Sequence, residues 1–320
     1  NNRLFIGDTG FAGIFSVSLA SGTKGNRSIL ASSSVGSGTN IQTPSSMNFD
    51  SSTNKLIFFD EGVDAVLLVD TSSGNRSLVY TNNIGTGPSL DRPYGLHINK
   101  TGTTIYVADT QLDAILAIDV ATGNRSYASG GGVGSGTALQ SIRDVVINNS
   151  GTKLYVSDQD ARRVFEIDLA TGNRSILYSL GSPFAPSGIA ISADDSTLFV
   201  TDNSSFSRIF SVNTSTGSGT LIASNSTGSG DFLSRMAKVA LSTDESKLYI
   251  ASDNTTPATY EVELNSGSAS SVRTKISGDS VGTGESTFNS YSIVINADST
   301  IAYISNLDTS TGLNLSLIHI

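Results

Sequence analysis

Carboxylates recur in this 320-residue chain at the end of one apolar motif. LFIGD ends at Asp8, LIFFD at Asp60, IYVAD at Asp109, LYVSD at Asp158 and LFVTD at Asp202, with looser copies in LYIASD to Asp253 and AYISN to Asn306. Such a set could supply oxygen ligands to a hard cation such as Ca²⁺, which takes about six to eight oxygens. The pairs Asp60 with Glu61 and Asp109 with Asp113 are best spaced for it, beside Asp158 and Asp202. The same aspartates have a plainer role, in which each accepts backbone N–H groups of the turn that follows its own strand. A residue present in every repeat more readily maintains the repeat than builds one site.

A second set varies where its neighbours do not. Ser45, Tyr94, Arg143, Ser187, Ala237 and Tyr291 occupy one position ahead of a short apolar run, with Arg92 and Arg235 just upstream. Tyr and Arg together can hold an anionic or sugar-like ligand by stacking and charge-assisted hydrogen bonds. Irregular polar residues can equally do no more than solvate a rim. His97 stands alone in the apolar run Gly95-Leu96-His97-Ile98, which suits a channel or core residue better than a ligand. A zinc site would need several His or Cys, and the chain has no Cys. Any Ser-His-Asp arrangement would have to take His97 as its base. Gly131-Gly132-Val133-Gly134-Ser135-Gly136 has the look of a phosphate loop, but no helix follows to aim amides at an anion, so it reads as loop.

The elements that position these residues come from an internal repeat. GNRS occurs at Gly25, Gly74, Gly123 and Gly172, and 74−25, 123−74 and 172−123 each give 49. A Gly-rich marker keeps the same phase at Val35–Gly38, Ile84–Gly87 and Val133–Gly136, with an echo at Val281–Gly284. Each repeat reads as four strands, a to d. Strand a is short and apolar, as in Gly95–Ile98, Asp144–Ile147, Gly188–Ile191, Lys238–Leu241 and Ser292–Ile295. Strand b, around Ile105-Tyr106-Val107-Ala108, is apolar on both sides and so must be sandwiched. Strand c runs Ala114–Ile118 and turns through Asp119–Asn124, whose Gly and Asn suit a tight hairpin, into a more polar strand d at Arg125–Ala128.

Four antiparallel strands repeating every 40 to 50 residues or so make an all-β propeller blade, since stacked blades bury each other's faces. The chain holds strands b to d, then five full blades to about Ile276, then a and b of another. Six closed blades leave one strand b in surplus, and seven blades with truncated ends are equally consistent. In such a blade the b–c and d–a connections share one face, which puts the repeated aspartates beside the long loops, where repeat proteins usually bind. The variable set would ring the channel entrance on that face.

Tyr94-Gly95-Leu96-His97-Ile98-Asn99-Lys100-Thr101-Gly102, followed by Ile105–Asp109 and Ile115–Asp119, resembles the NHL-type repeat of six-bladed, TolB-like propellers and related lactonase-like propellers. The resemblance spans nearly the whole chain. It implies the fold, and an activity drawn from binding scaffolds, lactonases or lyases. Lyases of this build depend on several His or similar residues, which are missing here. Lactonase-like relatives hold a cation on acidic and Asn residues at the channel mouth, and no matching set can be placed.

With 38% hydrophobic residues there is material for a large core, and a net charge of −9 argues against nucleic acid and anionic membrane surfaces. The expected partner is a protein, a small molecule or a carbohydrate, bound by a monomer. No apolar run is long enough to cross a membrane as a helix. The chain begins at Asn1, so a signal peptide could have been removed, and an extracellular, cell-surface or periplasmic location is expected. Residues 1–314 read as one propeller domain truncated at both ends. Leu315–Ile320, LSLIHI, matches nothing in the repeat and can be encoded by CTG TCT CTT ATA CAC ATC, the end of a sequencing transposon, so it reads as an adapter scar and His319 is set aside. The leading expectation is a non-catalytic propeller binding through the b–c and d–a face. The alternative is a cation-dependent, lactonase-like hydrolase at the channel mouth.

Overall fold

The computed structural model describes residues 3–8, 12–18, 27–50, 53–233, 235–242, 244–252, 258–264, 271–278, 290–295 and 302–306. Asp253, Val281–Gly284 and Leu315–Ile320 lie outside the described residues. The chain opens with β1 (Arg3–Asp8), β2 (Gly13–Ser18) and β3 (Arg27–Ala31). Four sheets follow, each of four antiparallel strands in sequence order. They are β4 (Pro44–Asp50) to β7 (Arg76–Tyr80) by way of β5 (Lys55–Asp60) and β6 (Ala65–Asp70), then β8 (Pro93–Ile98), β9 (Thr104–Asp109), β10 (Ala114–Asp119) and β11 (Arg125–Ser129). Next come β12 (Ile142–Ile147), β13 (Lys153–Asp158), β14 (Arg163–Asp168) and β15 (Arg174–Ser179), then β16 (Pro186–Ile191), β17 (Thr197–Asp202), β18 (Arg208–Asn213) and β19 (Gly219–Ala223). A fifth is β21 (Met236–Leu241), β22 (Lys247–Ser252), β23 (Ala258–Glu263) and β24 (Val272–Gly278), with the two-residue β20 (Ser229–Gly230) on its outer edge. The last two strands, β25 (Ser290–Ile295) and β26 (Ala302–Asn306), join the first three in the order β25-β26-β1-β2-β3.

The first strands of the five complete blades lie side by side around a central channel, and β25 neighbours both β21 and β4. This is an all-β propeller of four-stranded antiparallel blades. Its stability comes from the both-sided burial that the sequence of strand b demands. On β5, Ile57 and Phe59 pack with Ile105 and Leu116 of the following blade, whereas Leu56 and Phe58 pack with Ile14 and Ala31 of the preceding one. Each such side chain contributes about 1.5–3 kcal/mol through burial. The sheet β25-β26-β1-β2-β3 holds two strands b, β26 and β1, side by side, and they pair in parallel at Asp8 and Asn306. One alignment changes. Met236 pairs with Ser252 as Ile142 pairs with Asp158, so Ser252, not Asp253, takes the place of the repeated aspartate.

The two repeat markers turn out to be halves of one clasp between blades. The Arg125 guanidinium of β11 donates to the carbonyls of Ile84 and Pro88, both at 2.7 Å, and of Gly87 at 3.1 Å, all in the Gly-rich loop leading out of the preceding blade. Asn124 accepts from the Thr86 backbone N–H and hydroxyl at 2.8 and 3.0 Å. Arg76 and Arg174 do the same to the loops at 35–39 and 133–137, and Arg273 to the carbonyls of Thr227 and Asp231. Gly123 is required twice, by its φ of +70° and because a Cβ there would stand 2.3 Å from the Val79 carbonyl of the neighbouring blade. At β19 both halves are gone together. Gly219 stands where the arginine would be, and Tyr178, Phe184 and Phe210 pack there with ring centroids 5.7–5.9 Å apart.

Candidate functional site

The variable residues reach the channel mouth because strand a breaks its pairing there. The register between β8 and β9 jumps from Pro93 to Gly95, leaving Tyr94 out of the ladder; between β12 and β13 it jumps from Ile142 to Asp144, leaving out Arg143. The same irregularity skips Ala237 in β21 and Tyr291 in β25. A bulge adds one residue and re-aims its side chain. Tyr94, Arg143, Ser187 and Ala237 accordingly line one cavity of about 710 Å³, joined by Arg92 and Arg235 just ahead of their strands and by Ser45, which stays paired with Phe59 while the break in β4 falls on Ser46. Tyr291 holds the equivalent position on β25, and its side chain is outside the described part.

The Arg143 guanidinium lies 4.5 Å from the centre of the Tyr94 ring, a cation–π contact, and its Nε is buried without a hydrogen-bond partner. Ser187 and Ser45 are committed elsewhere: their hydroxyls donate to the carbonyls of Ala237, at 2.8 Å, and Phe59, at 3.3 Å. Arg92, Arg143 and Arg235 line the cavity with Glu61, Asp64 and Asp91, so three guanidinium groups stand at the mouth of a protein of net charge −9, balanced by three carboxylates, while Lys238 is paired with Asp144. Among the lining residues, Asp64, Asp91, Gln159, Asn203 and Lys238 were not expected as site residues from the sequence. The signal for Gln159 and Asn203 is that the residue after each repeated aspartate varies: Glu61, Thr110, Gln159, Asn203.

Lys238 closes the floor. Its Nζ reaches Asp144 Oδ1 at 2.6 Å, with only 13% and 10% of the two side chains exposed, and Asp144 Oδ2 accepts the Ile189 N–H at 3.1 Å. Glycine makes room for this pair. A Cβ on Gly95 would stand 2.7 Å from Asp144 Oδ1, and one on Gly188 would stand 2.7 Å from the Lys238 Cα. Beneath the pair is a smaller chamber of about 230 Å³ that contains His97 and Asn48 among apolar side chains. His97 is therefore separated from the mouth by the ion pair. Its Nδ1 has no partner, and burial holds the imidazole below its ordinary value, with the Asp144 carboxylate and the Ile98 backbone opposing.

The repeated aspartates lie on the same face but are turned into the protein. Asp109, fully buried, accepts from the N–H groups of Asp91, Arg92, Gln111 and Leu112 at 2.7–3.1 Å. Asp60 accepts from Gln42, Thr43, Gly62 and Val63, and Asp158 from Gln140, Ser141 and Ala161. Asp202 accepts from Ala185 and Ser204 and pairs with Arg208 at 2.6 Å. A carboxylate offers about four lone-pair sites, so these four aspartates fasten the b–c turn to the chain entering strand a. Of the other cation candidates, Glu61 lines the mouth, and Asp113 sits where burial and then the charges of Asp158, Asp160 and Asp109 push its carboxyl up. Among the described residues no three His, Asp or Glu side chains form a group that could hold a metal ion.

No protein-family model matches the chain, and no curated protein matches it. Among solved structures it is similar to a chain of a nidogen/laminin complex, with 17% identity and a TM-score of 0.62 over 86% of this chain and 98% of that one. It is also similar to Kuenenia stuttgartiensis hydrazine synthase, with 13% identity and a TM-score of 0.62 over 85% of this chain and 76% of that one. At these identities the likeness is one of fold, and what it gives this chain is the β-propeller.

Proposed function

We propose that this protein is a non-catalytic propeller of six blades, of NHL-type, TolB-like build, that captures an anionic or sugar-like ligand at the channel mouth on the b–c and d–a face. Six blades are supported by β25 lying beside both β21 and β4 and by the pairing of β1 with β26. The clasp motifs agree: the arginine of Gly25-Asn26-Arg27-Ser28 and the loop motif Val281–Gly284 are left to match each other. The repeat type rests on the motif from Tyr94 to Asp119.

The observation that carries the binding reading is the Arg143–Tyr94 stack, with an unpartnered Nε, in the wall of a recess that Arg92 and Arg235 also line. A buried donor without a partner costs about 1–3 kcal/mol, a cost that a carboxylate drawing the guanidinium into a bidentate pair would remove. The aromatic ring then serves as a platform for the body of the ligand. Calorimetric titration with galacturonic acid, and with galactose as the uncharged control, tests this. Binding of the acid alone, weakened roughly tenfold or more by Arg143→Ala, is the expected result. Failure of the wild-type protein to bind, or equal binding by the variant, would falsify it.

A further inference from the structure

The mouth cavity continues sideways. It shares Gln159, Asn203 and Arg235 with a second cavity of about 460 Å³, bounded by the b–c turn between β17 and β18 and by the d–a loop between β19 and β21. The remaining lining is mostly hydroxyl and amide, from Ser204, Ser205, Ser207 and Asn225. Asn225 holds the loop in shape, its Oδ1 accepting the Leu233 N–H at 2.7 Å and its Nδ2 donating to the Leu233 carbonyl at 2.9 Å. Phe232, next to Leu233 in that loop, is 75% exposed, and Phe206, between the lining residues Ser205 and Ser207, is 54% exposed; the two flank the lining without belonging to it. The two most exposed large hydrophobic side chains among the described residues thus stand in the two loops that wall this groove. At the junction of the two cavities, Asn203 Oδ1 has no hydrogen-bond partner.

We infer that the ligand is a chain, an oligosaccharide carrying acidic sugars, with one unit at the Arg143–Tyr94 stack and further units running past Asn203 into this groove. The inference rests on the mouth reading above and extends it. Sugar hydroxyls supply the donor that Asn203 Oδ1 lacks, and the terminal torsion of an Asn side chain is soft enough to turn toward it. The exposed ring of Phe232 offers an apolar face to the C–H surface of pyranose rings at the groove's edge, and that of Phe206, which carries the Arg208 guanidinium 5.3 Å from its centre, has its other face for the same use. An extended peptide fits less well, because it is held chiefly through backbone hydrogen bonds and the groove backbone is already engaged. Asn203 N–H donates to the Ala185 carbonyl, Ser204 N–H to Asp202, and Ser207 N–H to the Ser204 carbonyl.

The experiment is a titration of the full chain with galacturonic acid, tetragalacturonic acid and tetraglutamate, repeated for Ser205→Trp, Phe232→Ala and Arg143→Ala. Ser205 and Phe232 are exposed, so their variants keep the fold, and neither lines the mouth. The tetramer is expected to bind at least tenfold more tightly than the monomer, and the Ser205 and Phe232 variants to remove most of that gain while monomer binding is unchanged. Arg143→Ala should weaken both. If monomer and tetramer bind equally, or if the groove variants leave tetramer affinity intact, the groove assignment is wrong and the mouth reading survives. If neither sugar binds, both fall; if tetraglutamate is preferred, the ligand is a peptide and the inference is overturned.

Discussion

Lys238 and Asp144 are two charges held mostly away from water, each the other's partner across the channel. Removing one leaves the other buried and uncompensated, which typically costs about 3–5 kcal/mol. Asp144→Ala should therefore be among the most destabilising changes in the channel, and adding Lys238→Met should restore most of the loss. Urea unfolding of the two single variants and the double variant measures the coupling. His97, below them, gives a pH signature. Its folded pKa is lowered from 6.5, so above that value it makes no demand on stability; as pH falls below 6.5 the unfolded chain takes up a proton that the buried ring resists, and stability drops. His97→Asn should flatten the loss of stability between pH 6.5 and 5, and an unchanged slope would mean that the ring protonates freely in the folded state. The sequence shows His97 as a lone polar residue in an apolar strand. It hides the partnership of Asp144 with Lys238, because 94 residues separate them and only the ring brings them together.

At the scale of elements, the strands were legible to within a residue or two, as with Gly95–Ile98 against β8 and Ala114–Ile118 against β10, because short apolar runs buried between blades are bounded by polar, Gly-containing turns. The mouth bulges were not legible. The apolar run continues after Tyr94 and Arg143 as if nothing intervened, and the extra residue appears only in the pairing with strand b. The clasp was half legible, since both markers keep the 49-residue phase but belong to different blades. Arg125 is the best place to weigh it. Its guanidinium satisfies carbonyls at Ile84, Gly87, Pro88 and Gly123 and stacks 4.7 Å from the Tyr80 ring. Arg125→Ala should cost about 2–4 kcal/mol in denaturant unfolding. Arg125→Lys should recover little of it, since one ammonium cannot reproduce a planar fork of five donors.

For the whole molecule, the ring makes a prediction about size. A compact chain of 320 residues has a radius of gyration of about 20 Å, and X-ray scattering should return that value with a closed-ring profile. An open arc of blades would be larger. Blade number was the least legible feature, because it depends on how β1 and β26 meet and not on any motif within a repeat. The clasp missing at β19 goes with a shortened repeat. The connection from β15 to β16 is six residues (180–185), where those at 32–43, 81–92, 130–141 and 224–235 are twelve, and Asp158 to Asp202 is 44 residues where Asp109 to Asp158 is 49. Identical repeats would present the same surface at every azimuth, with no reason for a ligand to lie one way round. The shortened repeat breaks that rotational symmetry, and the groove beside it gives the ring a preferred direction.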